Sequence, residues 1–416
     1  MLFVVFAVLL LVFNAWSLYN IPVVVVGVRH LLRGRRKSEV SWVSEEKVPV
    51  VSIVVPVKNE EKVIGRLLRA LLNLRYPLLK MEIIVVNDES SDRTGVICDG
   101  FAGRFSHVRV FNRAKSSTKA AALNFGVRHA RGEIIVTFDA DSVPESDVLL
   151  NAVKYFEDPA VAAVQGRICS INANENMLTK FLFYEGAVQY EAFLQGKDEL
   201  SLFVGLAGTC QFIRRSVLEA VGGWNEENLS EDVELSLRLT EKDYVIKYAS
   251  EVRTWEESPH DLGGLVRQRA RWYRGNLTMG LKFGRLLKKF TRRRLDAEMT
   301  LFGTYLIVLC VVSYFMAAWS FLLPPDFTLT LVTRLTSLFT LALLGSAGVA
   351  LVYVTKPIRM WSLLWLPFIY AYWGFQSFIA LYAVFQIILR RPGKWSKTVR
   401  SGVVTAERAK EILASD

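Results

Sequence analysis

Residues suited to redox or zinc chemistry are scarce in this sequence. Its four cysteines, Cys98, Cys169, Cys210 and Cys310, are scattered and form no C-x-x-C pair. The sequence therefore signals neither a zinc site nor a disulfide framework. Its four histidines are equally dispersed, which disfavours a His-based hydrolase or redox enzyme.

The glycine-rich loops of the common nucleotide-binding folds are also missing. A dinucleotide-binding domain would carry G-x-G-x-x-G directly after its first strand. This chain instead has Pro-Val-Lys-Asn-Glu at 56–60, and a Walker A lysine motif occurs nowhere. NAD-dependent, FAD-dependent and ATP-motor functions are therefore disfavoured.

Apolar residues are abundant, at 52% of the chain, and unevenly distributed. Each of four apolar stretches covers the roughly 20 residues that a membrane helix needs. These stretches are 2–28, 301–323, 335–354 and 361–389. The region from about 33 to 294 has the composition of a soluble protein. We predict an integral membrane protein with a large soluble domain after its first span.

Charges near the predicted spans bear on orientation. Basic residues at 33–37 follow the first apolar run, and no Ala-x-Ala site ends it, which favours an uncleaved anchor over a signal peptide. The positive-inside rule then places the N-terminus outside and the soluble domain in the cytoplasm. Three further spans would put the C-terminus outside, whereas basic residues at 390–400 favour the cytoplasm. The side of the C-terminus stays open, with a cytoplasmic tail favoured.

The net charge of +11 is densest at 282–294, where basic residues alternate with apolar ones. This pattern predicts an amphipathic helix on an anionic membrane surface rather than a nucleic-acid site. The alternative is a solvated linker.

The soluble region alternates strand and helix patterns. Buried strands are predicted at 51–57, 83–86, 108–111 and 134–138, with helical spacing between them, including a helix at 120–130. Such alternation indicates successive right-handed βαβ units and therefore an α/β domain with a mostly parallel sheet. A further strand at 161–168 and an aromatic-rich helix at 177–194 follow.

Four carboxylates directly follow predicted strands, at the sheet edge where open α/β folds bind ligands. They are Glu60, Asp88, Asp139 and Asp141. Asp139 and Asp141, one residue apart, suit Mg²⁺ or Mn²⁺, which commonly bridges a carboxylate to substrate phosphates. The alternative is a solvated turn in which an Asp caps the next helix.

Six short motifs in this region resemble those of one enzyme family. They lie at 54–60, 86–90, 118–124, 138–141, 230–232 and 268–272. The chain resembles the membrane-integrated family-2 glycosyltransferases, the branch that includes cellulose, hyaluronan, chitin-oligosaccharide and poly-N-acetylglucosamine synthases. The resemblance covers roughly residues 48 to 280.

The resemblance implies a cytoplasmic α/β GT-A domain, which is Rossmann-like with a mostly parallel sheet, and α-helical transmembrane segments. The expected parts are an N-terminal membrane helix at 1–32, the GT-A domain at 33–277, a basic interfacial helix at 278–298, membrane helices at 299–390 and a basic tail at 391–416. It also implies an inverting hexosyltransferase that uses Mg²⁺ or Mn²⁺ and a UDP-sugar, UDP-GlcNAc or UDP-Glc.

The family motifs also imply roles for individual residues. The implied donor-binding residues are Pro56, Lys58, Glu60, Asp88, Lys119, Asp139, Gln268 and Arg271. Asp139 and Asp141 would hold the metal, and Asp232 would be the general base. The implied acceptor-binding residues are Gly208, Thr209, Glu231 and Trp272.

Other interpretations of these residues remain. Ser230 or Asp232 could simply cap a helix, and 268–272 could be an interfacial helix with an aromatic belt residue. The acceptor loop of cellulose synthases is matched only partly by 205–209, so the acceptor sugar stays open.

We expect a processive polysaccharide synthase that exports its product through its own membrane helices, although four spans are few for a translocation pore. One alternative is a single transfer to a membrane lipid, so the acceptor is a saccharide or a lipid. An alternative of another class is a non-enzymatic nucleotide-binding transporter or sensor. In each case the partners include the lipid bilayer and no nucleic acid.

Overall fold

The computed structural model describes residues 2–33, 48–114, 118–283, 289–320, 327–354 and 360–391. The chain forms two compact units. Of the described residues, the sheet unit contains 48–114, 118–186 and 203–265. The helical unit contains 2–33, 187–202 and the described residues between 266 and 391.

Over its described residues, the sheet unit is built on one mixed sheet of eight strands, in which neighbouring strands are hydrogen-bonded. The strands are β1 Val51–Val57, β2 Met81–Asp88, β3 Val108–Arg113, β4 Ile134–Thr137, β5 Val143–Pro144, β6 Val161–Ser170, β7 Gln211–Arg214 and β8 Val245–Glu256. Their order is β3-β2-β1-β4-β7-β6-β8-β5. The first four strands in this order are parallel, and β7 runs antiparallel to both β4 and β6. The predicted α/β class with a mostly parallel sheet is confirmed.

The helices of both units are numbered in chain order. They are α1 Leu2–Leu32, α2 Ile64–Leu72, α3 Thr94–Ala102, α4 Lys119–Arg128, α5 Val148–Val153, α6 Met177–Ala187, α7 Gln195–Glu199, α8 Arg215–Ala220, α9 Glu231–Glu241, α10 Leu262–Phe283, α11 Arg292–Ser320, α12 Phe327–Val354 and α13 Leu366–Ile388. The predicted aromatic helix is divided: α6 passes into a π-helix at Val188–Leu194 before α7.

Strand β1 lies at the centre of the parallel part, and all of its residues are buried. Its Pro56 cannot donate a ladder hydrogen bond, which would be unfavourable in a fully paired strand. The pairing of β1 with β4 ends at Val54, so Pro56 lies beyond that paired segment. On the same strand, α4 approaches closely because Gly126 has no side chain: a Cβ there would lie 2.4 Å from Val54 Cγ1.

The loops that follow β1 and β2 are tied together at one edge of the sheet. Asn59 donates its backbone N–H to Ser90 Oγ (2.9 Å), and its Oδ1 accepts the N–H of Ser91 (2.7 Å). Asn59 and Glu89 both have left-handed backbones, with φ of 54° and 58°. Such conformations are uncommon outside glycine, and here they turn both loops sharply at the carboxyl edge, where parallel strands β1, β2 and β4 all end.

Within its described residues, the helical unit has four helices long and apolar enough to cross a membrane, namely Val4–Leu32, Arg292–Trp319, Thr330–Tyr353 and Leu363–Ile388. Its interior contains a buried ion pair: Lys197 Nζ lies 2.9 Å from Asp296 Oδ2, and Tyr19 donates its hydroxyl to Asp296 Oδ1 (2.6 Å). This pair joins α7 to α11 and α1. A charge buried without a partner would be strongly unfavourable.

Several predicted segments fall wholly or partly outside the described residues. These are the basic run at 34–37, the centre of the predicted interfacial helix at 284–288 and the basic tail beyond 391. Before residues 284–288, α10 continues to Phe283, and after them α11 begins at Arg292.

The buried face of α2 offers a test of the core. Leu67 is fully buried in the apolar core of the sheet unit, so we expect Leu67→Ala to lower the free energy of unfolding by about 2–5 kcal/mol. Leu79 is 99% exposed, so Leu79→Ala is the control, with an effect of at most about 0.5 kcal/mol. Thermal unfolding of the detergent-solubilised protein measures both, and equal melting temperatures would contradict the assigned core.

Candidate active site

The segment Asp139–Asp141, here called the D-x-D turn, directly follows β4. The antiparallel pairing of β4 with β7 brings the residues before β7 alongside it. Asp139 donates its backbone N–H to Thr209 Oγ1 (3.1 Å). Asp141 is buried, and its Oδ2 accepts the N–H of Glu257 (3.2 Å). Asp139, through its backbone, and Asp141, through its carboxylate, are thus both held by neighbours from distant parts of the chain.

Lys119, the first residue of α4, is the cation of this site. Its Nζ lies 2.5 Å from Asp139 Oδ1 and 3.9 Å from Glu231 Oε1, and it donates to the carbonyl of Gly208 (3.1 Å). Burial alone would lower the pKa of Lys119, but the carboxylates of Asp139, Glu231 and Asp232 outweigh it and raise the pKa. Lys119 is therefore positively charged at physiological pH.

Gly208 lies between Lys119 and Asp232. A Cβ on Gly208 would stand 3.1 Å from Asp232 Oδ2 and 3.3 Å from Lys119 Nζ, and its φ of +80° suits glycine. The sheet unit therefore brings Asp232 together with Lys119 and the D-x-D turn, although Asp232 lies 93 positions after Asp139 in the sequence.

The start of α9 was open to a simple capping interpretation. Ser230 precedes α9, but its side chain makes no capping hydrogen bond. Asp232 accepts the N–H of the adjacent Val233 at Oδ1 (2.8 Å), while its Oδ2 faces Gly208. Asp232 thus points one carboxylate oxygen toward the site.

Four predicted donor-binding residues lie at the edge formed by β1 and β2. Pro56 is within β1, and Lys58 follows it, half-buried. Glu60 donates its backbone N–H to Thr94 Oγ1 (2.7 Å). Asp88, the last residue of β2, is fully buried, with Oδ1 2.8 Å from Arg113 Nη1. The structure thus places these residues on the same edge as the D-x-D turn.

The sequence analysis missed two acidic residues, namely Glu256, the last residue of β8, and Glu257, which follows it. Glu256 Oε1 accepts hydrogen bonds from Ser142 Oγ (2.6 Å) and Thr209 Oγ1 (2.8 Å). Burial, together with the charges of Asp141 and Asp139, raises the pKa of Glu256 to about 8. Carboxylates at a strand end were the signal used for the other sites, and the same signal would have found Glu256 if the strand at 245–256 had been predicted.

Arg66 was missed as well, since an arginine inside α2 gives no signal in the sequence. Its Nη1 lies 2.8 Å from Glu257 Oε1, and both side chains are buried. Its Nη2 donates to the backbone carbonyl of Asp141 (3.0 Å). Arg66 therefore links the backbone of the D-x-D turn to Glu257.

The remaining predicted residues, Gln268, Arg271 and Trp272, lie on the part of α10 that belongs to the helical unit. Trp272 is 39% exposed, and the guanidinium of Arg269 lies 4.7 Å from its ring centroid. Their roles at the donor and acceptor stay predictions.

The carboxylates present fit one kind of metal site. Among the described residues there is no group of three or more His, Cys, Asp or Glu side chains placed to hold a metal ion. Mg²⁺ that binds together with substrate phosphates needs only one or two protein carboxylates. Asp139 and Asp141 fit an ion that arrives with a diphosphate better than a permanently caged one.

Comparison with known proteins gives a consistent result. Residues 49–275, more than half of the chain, match the model of the family described as "Glycosyltransferase like family 2". A "Beta-monoglucosyldiacylglycerol synthase" of Trichormus variabilis is 36% identical over 62% of this chain and 56% of its own length. A "Poly-beta-1,6-N-acetyl-D-glucosamine synthase" of Staphylococcus epidermidis is 29% identical over 55% of each chain. The match thus spans little more than half the length of these relatives, which include both a lipid glycosyltransferase and a polysaccharide synthase.

Among solved structures, a "Mannosyltransferase PcManGT from Pyrobaculum calidifontis in complex with GDP-Man and Mn2+" aligns with a TM-score of 0.58. The alignment covers 93% of this chain and all of the other at 20% identity, which indicates a shared fold. The predicted GT-A fold is thereby confirmed.

The raised pKa of Glu256 predicts a pH dependence of stability. Because the folded state keeps a proton that the unfolded state has released above its ordinary pKa of 4.5, stability falls as the pH rises toward 8, by at most about 1.4 kcal/mol per pH unit. Glu256→Gln should remove this pH-dependent loss of stability. Its melting temperature at pH 8 should therefore be higher than that of the wild type. Melting curves in EDTA from pH 5 to 8.5 measure it.

The matched control is Glu251→Gln on the same strand, since Glu251 accepts a hydrogen bond from Tyr155 (2.7 Å) outside the site. A Glu256→Gln protein with the same pH profile as the wild type would contradict the assignment.

Proposed function

We propose a specific reaction for this chain, which belongs to glycosyltransferase family 2 and is a hexosyltransferase that uses a nucleotide sugar. A sugar is transferred with inversion from a UDP-sugar to an acceptor hydroxyl at the cytoplasmic face of a cell membrane, which the helical unit crosses several times. The observation that carries this proposal is the position of Lys119, in contact with Asp139 and close to Asp232.

The donor side has to manage the charge of the leaving diphosphate. Lys119 supplies one fixed positive charge where negative charge develops. Asp139 and Asp141 would hold Mg²⁺ or Mn²⁺, which neutralises further charge on the diphosphate. Asp88 would bind the nucleoside, and Pro56, Lys58 and Glu60 would line the same edge. UDP-GlcNAc and UDP-Glc are the candidate donors.

The acceptor side needs a base within hydrogen-bond reach of the attacking hydroxyl. Asp232 takes the hydroxyl proton as the oxygen forms its bond to the anomeric carbon. The bond from that carbon to the diphosphate breaks on the opposite face, which inverts the configuration and leaves the negative charge on UDP. The carboxylate of Asp232 helps to raise the pKa of Lys119, so a positive charge is kept beside the proposed base.

Further residues would complete the binding of both substrates. Gly208, Thr209 and Glu231 would border the acceptor beside Asp232. On α10, Arg271 would fork onto diphosphate oxygens, Gln268 would add a polar contact, and Trp272 would offer a flat apolar face to the acceptor.

Two acceptor classes have support. The lipid glycosyltransferase named above has the higher identity, and its name indicates a glucosyl group on diacylglycerol, so we place a single transfer to a lipid hydroxyl first. The processive polysaccharide reaction is the second candidate, supported by the poly-N-acetylglucosamine synthase. Membership of an enzyme family argues against the non-enzymatic transporter or sensor.

The role of Asp232 is tested by Asp232→Asn, which keeps the shape of the side chain and removes the base. We expect sugar transfer to fall by about 10²- to 10⁴-fold, while UDP binding in the presence of Mn²⁺ is kept. Release of UDP and calorimetric UDP binding are the measurements. Glu227→Gln, at an exposed position just before α9, is the control and should retain activity. An active Asp232→Asn enzyme would refute the proposed base.

The acceptor class is tested by product size. Purified protein is incubated with UDP-Glc or UDP-GlcNAc, Mn²⁺ or Mg²⁺, and diacylglycerol in vesicles, and the products are separated by organic extraction and sized. We expect one sugar on an extractable lipid. A long polymer that remains with the enzyme would instead establish the processive reaction.

A further inference from the structure

Glu256, at the end of β8, is linked to the D-x-D turn by hydrogen bonds, and the proposed function gives it no role. We infer that Glu256 is a positioning residue, which holds this turn through the hydroxyls of Ser142 and Thr209 in the geometry that binds a metal-chelated nucleoside diphosphate. This inference rests on the proposed metal-assisted binding of the donor.

The argument begins with the protons of the two hydroxyl groups. Thr209 Oγ1 accepts the N–H of Asp139 (3.1 Å), so its own proton has to point elsewhere. Glu256 Oε1 accepts from Thr209 Oγ1 (2.8 Å) and from Ser142 Oγ (2.6 Å). A single carboxylate oxygen therefore orients both hydroxyls, each of which has only one proton to donate.

These bonds restrain the turn at both of its ends. Asp139 is held through Thr209, and Ser142, the residue after Asp141, is held directly. The two hydroxyl oxygens lie 3.1 Å apart. Without Glu256, only one of the two hydroxyls could donate to the other, so one proton would need a new acceptor. Thr209, which receives the N–H of Asp139, would then lose the bond to Glu256 that helps to hold it.

Glu256 Oε1 contacts the hydroxyls of Ser142 and Thr209, so its proposed action on the turn passes through these two residues. In the described part of the chain it forms no three-membered metal-binding group with Asp139 and Asp141. Residues that orient metal ligands in this way typically change metal affinity by 10- to 100-fold when they are mutated. The expected effect of losing Glu256 is therefore on metal-dependent binding and not on nucleotide binding in general.

The experiment is a calorimetric titration of the full-length protein in detergent with UDP, once with Mn²⁺ and once with EDTA. We expect Glu256→Leu to weaken UDP binding in Mn²⁺ by about 10- to 100-fold and to leave binding in EDTA unchanged. Glu256→Gln, which keeps an accepting oxygen, should restore most of the Mn²⁺-dependent affinity. Glu251→Leu, which removes a hydroxyl partner elsewhere on β8, should bind like the wild type.

Thr209→Val breaks the same linkage with almost no change in volume, and it serves if Glu256→Leu does not fold. Binding by Glu256→Leu or Thr209→Val equal to the wild type in Mn²⁺ would overturn the inference. An equal loss in Mn²⁺ and in EDTA would also overturn it, because that result indicates general damage. A wild-type protein that binds no UDP with either Mn²⁺ or Mg²⁺ would instead overturn the proposed function.

Discussion

The ion pair between Lys119 and Asp139 is the interaction on which the candidate site depends. Lys119 interacts electrostatically with the carboxylates of Asp139, Glu231 and Asp232. Without its positive charge, these three negative charges would repel one another. One mostly buried ammonium group at the start of α4 makes their proximity possible. It also keeps a positive charge at the place where a diphosphate would need one. Lys119 would thus serve both the fold and the proposed chemistry.

The sheet topology determines which segments meet at the candidate site. Strands β1, β2 and β4 end at one edge because they are parallel neighbours. The insertion of antiparallel β7 beside β4 brings Gly208 and Thr209 to the D-x-D turn. The long strand β8 ends at Glu256, and Glu257 follows it at the same turn. The site is therefore assembled from several separate stretches of chain, and a shift of one strand would disperse it.

The helical unit uses similar physics for a different purpose. Its buried Lys197 binds Asp296 and the hydroxyl of Thr300 (2.7 Å), and Tyr19 completes the shell of Asp296. Removing one charged partner would leave the other buried and uncompensated. The pair therefore favours one arrangement of α1, α7 and α11 among apolar helices that could otherwise slide past each other.

The sequence by itself determined the elements with a strong local period: the buried strands, the apolar helices and the carboxylates that follow strands. Strand and helix periodicity depends on near neighbours in the chain, and so does a motif such as D-x-D. Only the tertiary structure decided that Glu256, Glu257 and Arg66 support the D-x-D turn and that Gly208 lies between Lys119 and Asp232. Those contacts join residues that lie between 24 and 116 positions apart in the sequence. The antiparallel insertion of β7 that creates several of them has no local pattern, because strand order is set by packing of the whole sheet.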